Sequence, residues 1–311
     1  MEKTKTIFIG TPFFSVPTLK AIVKDPAFEV VAVISQPDKT IGRKKVLTPT
    51  PIKVEAEINN IPVLQPDKII TIADDIKALH PDLIVVIAYA QIIPETILNI
   101  PKYGCVNIHA SLLPKYRGAA VLQAPILNGD KESGVTIMLM DKNLDTGPIL
   151  AQASVELSKN ETPISLAEKL APLGAELLAP TIKKYINGEI NPKPQNDAEA
   201  DYVKTLTKED GKINWNDSAI QLERFVRAMT PWPGAWTTWN GKILKILEVE
   251  PDHHIINAYR PGQVFCDQNR MTIQTGINVL IIKRVQLEGR NSMDSNQFMR
   301  GYPDILHSVL T

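Results

Sequence analysis

The sequence predicts an α/β protein with a mostly parallel sheet, followed by a smaller β-barrel. Three observations carry that expectation. Short apolar runs alternate with helical patterns up to about residue 185. A polar stretch containing Asn191-Pro192-Lys193-Pro194 then interrupts the pattern. Beyond Lys212 one helix is followed by short strands with turn signals. Alternating strands and helices imply a parallel sheet, and evenly spaced short strands imply a barrel.

The elements follow in order. Ile7-Phe8-Ile9 reads as a strand ending at Gly10, and residues 16–24 as a helix. Residues 29–35 are valine-rich and read as a buried strand, residues 71–79 as a helix, and residues 82–87 as a continuous apolar strand. Residues 104–108 and 134–140 read as further strands. A long helix over 164–185 ends at Asn187-Gly188, a good C-terminal stop. The polar stretch after it reads as a linker. A helix fits 218–229, and Asn240-Gly241 is a strong hairpin signal. The resulting division is 1–188 for the first domain, 189–207 for the linker and 208–311 for the second domain.

Composition narrows the class. A chain of 311 residues accommodates two domains, and 44% hydrophobic with 22% charged residues is ordinary for a globular protein. No apolar run approaches the roughly 20 residues that span a membrane. Met1-Glu2-Lys3-Thr4-Lys5 leads straight into the first strand without the apolar region of a signal peptide. Cys105 and Cys266 lack metal-ligand spacing and are expected to be buried small hydrophobes, not a disulfide. His253-His254 would point to opposite sides of a strand, so no metal site is expected. Together these features predict a cytosolic protein. Net charge is zero, with 34 basic and 34 acidic residues, which argues against a uniformly basic nucleic-acid surface. The densest basic run is Arg43-Lys44-Lys45, on a proline-rich loop over 36–51.

In open α/β sheets ligands sit beyond the carboxyl ends of the strands, here the residues after Ile87, Ile108 and Met140. Asn107 and His109 are two apart at a strand end and so share a face. Asp145 lies in a tight loop after the next strand, before Thr146-Gly147. Singly, each is more often a structural or turn residue. Together, an amide, an imidazole and a carboxylate suit acyl transfer to an amine: a donor for an oxyanion and groups that move protons. Cys105 shares the face of Asn107 but is not expected to act as a nucleophile.

The run NIHASLLPKYRGAA (107–120), with MDKNLDTGPIL (140–150), resembles the signature of the folate-dependent formyltransferases. The segments IGTPFFSVP (9–17), SQPDKTIGRKKVLTPTPIK (35–53) and TPWPGAW (230–236) are similar to the methionyl-tRNA formyltransferase family within that group. The chain departs from the family pattern at Phe13, Ala90, Val121 and Asn143, where Asp, Gly, Pro and Gly are usual.

The resemblance implies a Rossmann-like formyltransferase domain and an OB-like β-barrel that binds tRNA. It implies 10-formyltetrahydrofolate as co-substrate, with no metal, and initiator methionyl-tRNA as partner, with no membrane and a monomeric chain. Asn107, His109 and Asp145 would be catalytic. The folate would lie against Ile87, Tyr89, Gln91, Ile92, Ser111, Leu112, Leu113, Pro114 and Asp141. Arg43, Lys44 and Lys45 would enter the tRNA acceptor arm. On the barrel, Lys242, Lys245, Lys283, Arg284 and Arg290 are candidate phosphate contacts. At least two of Trp232, Trp236 and Trp239 are expected in barrel packing. Two other readings stay open: a sugar-nucleotide N-formyltransferase, and a tRNA-binding protein without catalysis.

Overall fold

The computed structural model describes residues 2–42, 45–252 and 259–311. Arg43, Lys44, His253 and His254 lie outside the described residues. The chain forms two compact units. The first takes in the chain up to Val121, Glu132–Glu156 and Leu166–Val203; the second takes in Leu122–Lys131, Leu157–Ser165 and Lys204–Thr311.

The first unit is built on β1 (Thr4–Gly10), β2 (Phe28–Ile34), the hairpin β3 (Lys39–Ile41) and β4 (Val46–Thr48), β5 (Val63–Leu64), β6 (Leu83–Ile87), β7 (Cys105–His109), β8 (Arg117–Gly118), β9 (Glu132–Leu139), β10 (Ile149–Glu156) and β11 (Tyr202–Val203). Its main sheet has the order β10-β9-β7-β6-β1-β2-β5. β5, β2, β1, β6 and β7 are parallel. Strands covered on both faces need continuous apolar sequence. Ile7, Phe8 and Ile9 of β1 and all of β6 meet that need and are buried. Full burial of each such side chain is worth about 1.5–3 kcal/mol.

Helices α1 (Val16–Lys24), α2 (Pro51–Ile58), α3 (Ala73–Ala78) and α4 (Glu95–Leu98) connect the parallel strands. α2 was not legible as a helix; it starts at Thr50, whose hydroxyl accepts from the Lys53 N–H. The helix expected over 71–79 is shorter, because Ile69–Ile72 takes a 3-10 turn before α3. The basic loop over 36–51 is in part the β3–β4 hairpin, in keeping with the strand propensity of Thr40, Val46 and Thr48. After α5 (Gln123–Asn128), which belongs to the second unit, the long α6 (Pro163–Ile186) stops as expected. Gly188 has φ +73°, its N–H donates to Tyr185, and the Glu189 N–H donates to Lys184.

One expectation fails in a way that matters for the site. β9 runs antiparallel to β7, with His109 opposite Thr136 and Val106 opposite Leu139. The chain leaves β7 at its carboxyl end and re-enters the sheet there. Met140 therefore ends beside Cys105, its N–H donating to that carbonyl at 2.8 Å. The residues after Met140 do not start at the ligand end of the sheet; the loop to β10 has to turn back to reach it.

The stretch expected as a linker packs on the first unit as far as Val203. Lys193 and Ile149 exchange both backbone hydrogen bonds at 2.8 Å. β11 pairs in parallel with β8. Free edges of β10 and β8 supply backbone partners that composition does not reveal.

The second unit has α5, α7 (Ala219–Met229) and an antiparallel sheet of β12 (Trp236–Trp239), β13 (Lys242–Asp252), β14 (Val264–Asp267), β15 (Arg270–Gln274), β16 (Val279–Leu287) and β17 (Met293–Asp294), followed by α8 (Ser295–Gly301). The order is β12-β13-β16-β15-β14, with β17 beside β16. This is a curled half-barrel. The C-terminal residues bridge its open side: Val264 bonds Ser308 at 2.9 Å, and Thr238 bonds Thr311 at 2.8 Å. Ser218 and Gln221 form the capping box of α7. Asn240 and Gly241, at φ +48° and +73°, make the two-residue turn between β12 and β13. Trp239 packs edge-on to Phe298 in the core. Cys266 departs from expectation and is exposed, because it lies near the end of the edge strand β14.

Candidate active site

His109 closes β7, and its ring is held from both sides. Nε2 lies 2.8 Å from the Tyr116 carbonyl, and Nδ1 lies 3.6 Å from Asp145 Oδ1. The two side chains are 6% and 12% exposed. The Tyr116 carbonyl only accepts, so Nε2 is the nitrogen that donates to it, and Nδ1 faces the carboxylate just beyond hydrogen-bond distance. Asp145 Oδ2 accepts from the Gly118 N–H at 2.8 Å. Asp145 and Tyr116 both take left-handed backbone, at φ +55° and +61°. For a residue such as tyrosine this conformation costs about 1–3 kcal/mol and is characteristic of functional loops.

Asn107, two residues before His109, is half-buried. Among the described residues its carboxamide has no hydrogen-bond partner, so its N–H groups are free to donate. The structure thus brings the imidazole and the carboxylate together, with the amide two residues away on the same face of β7. The strand-end rule that directed attention to these residues does not explain Asp145, which arrives on the returning loop 140–148.

Thr136 and Gln152, outside the expected set, shape the surrounding loops together with Ser111 and Asp141. Thr136 Oγ1 accepts from the Leu113 N–H at 3.0 Å and donates to the Ser111 carbonyl at 2.7 Å. Gln152 Nε2 donates to the Leu113 carbonyl at 2.9 Å. Ser111 Oγ donates to the Lys115 carbonyl at 2.7 Å. Asp141 Oδ1 accepts from the Asn143 N–H and the Thr146 hydroxyl, at 2.9 and 2.7 Å. Asn143 is not left-handed; Asp145 takes that role in this loop.

After β6, Ala88 and Ala90 take φ +50° and +64°. Alanine at both positions carries strain that glycine would avoid. The Tyr89 ring points into the core, and burial pushes its hydroxyl up to about 12. Gln91 is engaged with the Ile69 N–H and the Asp67 carbonyl, at 2.9 and 3.1 Å. Ile92 is 82% exposed. Of the residues expected against folate, Ile87, Tyr89, Ser111 and Leu113 are therefore buried and offer chiefly backbone, and Gln91 is tied into its own loop. Leu112, Pro114, Asp141 and Ile92 retain accessible side-chain surface. Burial pushes the Cys105 thiol up to about 12, which removes it as a nucleophile at neutral pH.

In the second unit Trp236 and Trp239 are buried, whereas Trp232 is 58% exposed. Lys283 pairs with Glu250 at 2.5 Å, and Arg284 is registered opposite Glu248. Local acids thus offset these two candidate cations. Lys45, the described member of the basic run, is exposed. Among the described residues no group of three or more His, Cys, Asp or Glu side chains could hold a metal, and no helix is long and apolar enough to cross a membrane.

Residues 4–182 match the family model described as formyl transferase, and residues 205–303 match the formyl transferase C-terminal domain. A methionyl-tRNA formyltransferase of Citrifermentans bemidjiense is 43% identical, over 97% of this chain and 95% of that protein. One of Lachnospira eligens is 44% identical, over 96% of each. Among solved structures, the sugar 3N-formyl transferase WlaRD, crystallised with dTDP and 5-N-formyl-THF, has the same fold at a TM-score of 0.67. It is 24% identical, over 94% of this chain and all of that one. With both parts matched and such identity along nearly its whole length, the chain belongs to the formyl transferase family, among the methionyl-tRNA formyltransferases.

Proposed function

We propose that this protein transfers the formyl group of 10-formyltetrahydrofolate to the amino group of methionine on initiator tRNA, in the cytoplasm and as a monomer. The observation that carries the chemistry is the His109–Asp145 pair, with Asn107 on the same face of β7 and its carboxamide without a partner among the described residues. The surroundings suit a folate. Exposed Ile92 offers an apolar face, and the left-handed turns at Ala88 and Ala90 set the backbone groups that read a flat heterocycle.

The neutral amine adds to the formyl carbon. The new C–N bond turns the carbonyl oxygen into an oxyanion. The Asn107 amide donates to it, and the His109 ring gives up its Tyr116 partner to do the same. Asp145 orients the imidazolium and relays the amine proton, directly or through water, toward N10 of the folate. The C–N10 bond then breaks, and no covalent enzyme intermediate is needed.

The run Arg43-Lys44-Lys45 would contact the acceptor arm; guanidinium suits phosphate and base edges. In the second unit exposed Trp232 and lysines without an ion-pair partner among the described residues, such as Lys242 and Lys245, would hold the tRNA body, consistent with OB-type recognition. The test is formyl transfer to methionyl initiator tRNA, run beside free methionine and an amino-sugar nucleotide. Transfer to the charged tRNA alone supports the reading. Transfer to the sugar nucleotide keeps the chemistry and overturns the acceptor.

A further inference from the structure

Gln195 lies in the polar stretch that composition marks as a linker, between the regions matched by the two family models. Its carboxamide makes four hydrogen bonds to oxygen and nitrogen partners, and Nε2 also lies 4.0 Å from Met138 Sδ. Its Nε2 donates to the backbone carbonyls of Asp145 and Gly147, at 2.9 and 2.7 Å. Its Oε1 accepts from Arg117 Nε and Nη2, at 3.0 and 2.8 Å. One carboxamide thus uses both donors on the loop that carries Asp145 and its acceptor on a buried guanidinium.

Arg117 is 1% exposed and is hydrogen-bonded at all three of its guanidinium nitrogens. Besides Gln195 it binds Asp197 at 2.7 Å and the Tyr202 hydroxyl at 3.0 Å. Gly118, next to it, donates to Asp145 Oδ2 at 2.8 Å. The 140–148 loop has to turn back to reach His109, because β9 is antiparallel. Gln195 grips that loop on the backbone of Asp145 itself. A carboxamide there is specific. Leucine or methionine would leave two carbonyls and the Arg117 Nε–H without their partner, and glutamate would set a carboxylate against the two carbonyls.

We propose that Gln195, seated on Arg117, is a positioning residue for formyl transfer: it holds the Asp145 loop so that the carboxylate stays against His109. This rests on the reading of Asp145 as part of the reacting site. The strap 191–203 is then a component of the active site.

Gln195→Met and Gln195→Glu, each alone and combined with Asp145→Asn, test the idea in the full-length protein. Gln195→Glu keeps and strengthens the contact with Arg117, so its thermal unfolding midpoint should stay near that of the wild type. Its kcat should nevertheless fall at least tenfold, with KM for both substrates within about threefold. Gln195→Met should lose kcat to a similar degree. On the Asp145→Asn background either change should cost less than twofold more, because a residue acting through Asp145 has nothing left to position. Wild-type turnover in Gln195→Glu, or losses that multiply in the double variants, would overturn the proposal. Full activity in Asp145→Asn alone would instead overturn the underlying assignment of the site.

Discussion

At the residue scale, His109 lies between the Tyr116 carbonyl and Asp145, with Asn107 on the same face of β7. In the proposed mechanism His109 is an oxyanion donor, so His109→Ala should lower turnover about 10²–10⁴-fold while tRNA binding persists. A stopped assay at saturating substrates, with a filter-binding control, checks this; normal turnover would remove the ring from the mechanism. Asp145→Asn keeps an acceptor for the Gly118 N–H but removes the charge, so it should lose kcat more than KM. The two cysteines differ sharply. Cys105 is buried with its thiol raised to about 12, and Cys266 is exposed. Iodoacetamide at pH 8 should add one label to the native protein, on Cys266, as read by peptide mass spectrometry. Labelling of Cys105 without denaturant would contradict its burial.

At the element scale, the loop between β9 and β10 depends on Gly147. A Cβ there would lie 1.8 Å from the Leu139 carbonyl oxygen, so Gly147→Ala must displace backbone. Overpacking of this kind costs typically about 1–3 kcal/mol. The variant should melt earlier and lose turnover at least tenfold, since the moved loop carries Asp145. The segment after β2 is pinned differently. Asp38 accepts from Gln65 at 2.7 Å and Lys53 at 2.6 Å, and these hydrogen bonds hold its carboxyl below the usual carboxylate range. A depressed folded-state value means the contribution is complete above the unfolded value near 3.8 and fades as pH falls through the folded one. Asp38→Asn should therefore be less stable than the wild type at pH 7, and the gap should close well below pH 3.8. Denaturant titrations at both pH values read this out; a gap that widens in acid would refute it.

At the scale of the whole molecule, the chain is electrically neutral, so any hold on tRNA has to be local. Lys283 and Arg284 face glutamates, which leaves Lys242, Lys245, Arg290 and the Arg43-Lys44-Lys45 run as the candidate contacts. Affinity for initiator tRNA should fall as salt rises, because phosphate contacts release counterions. A slope near zero between 50 and 200 mM salt would exclude such contacts, a range over which the effect is normally about several-fold or more.

What was legible in the sequence is what local chemistry controls. Apolar continuity marked β1 and β6, Asn187-Gly188 marked the end of α6, and Asn240-Gly241 marked the β12–β13 turn, since each depends on neighbouring residues alone. Asn107, His109 and Asp145 were visible as residue types at motif spacing. Tertiary structure decided how they meet. The antiparallel entry of β9, the return of its loop and the Gln195–Arg117 grip arise from pairings between residues tens of positions apart. A polar, proline-bearing stretch reads as a linker because its own side chains bury little. It becomes part of the site because other strands offer free edges and other loops offer unpaired carbonyls, and no local pattern records those partners.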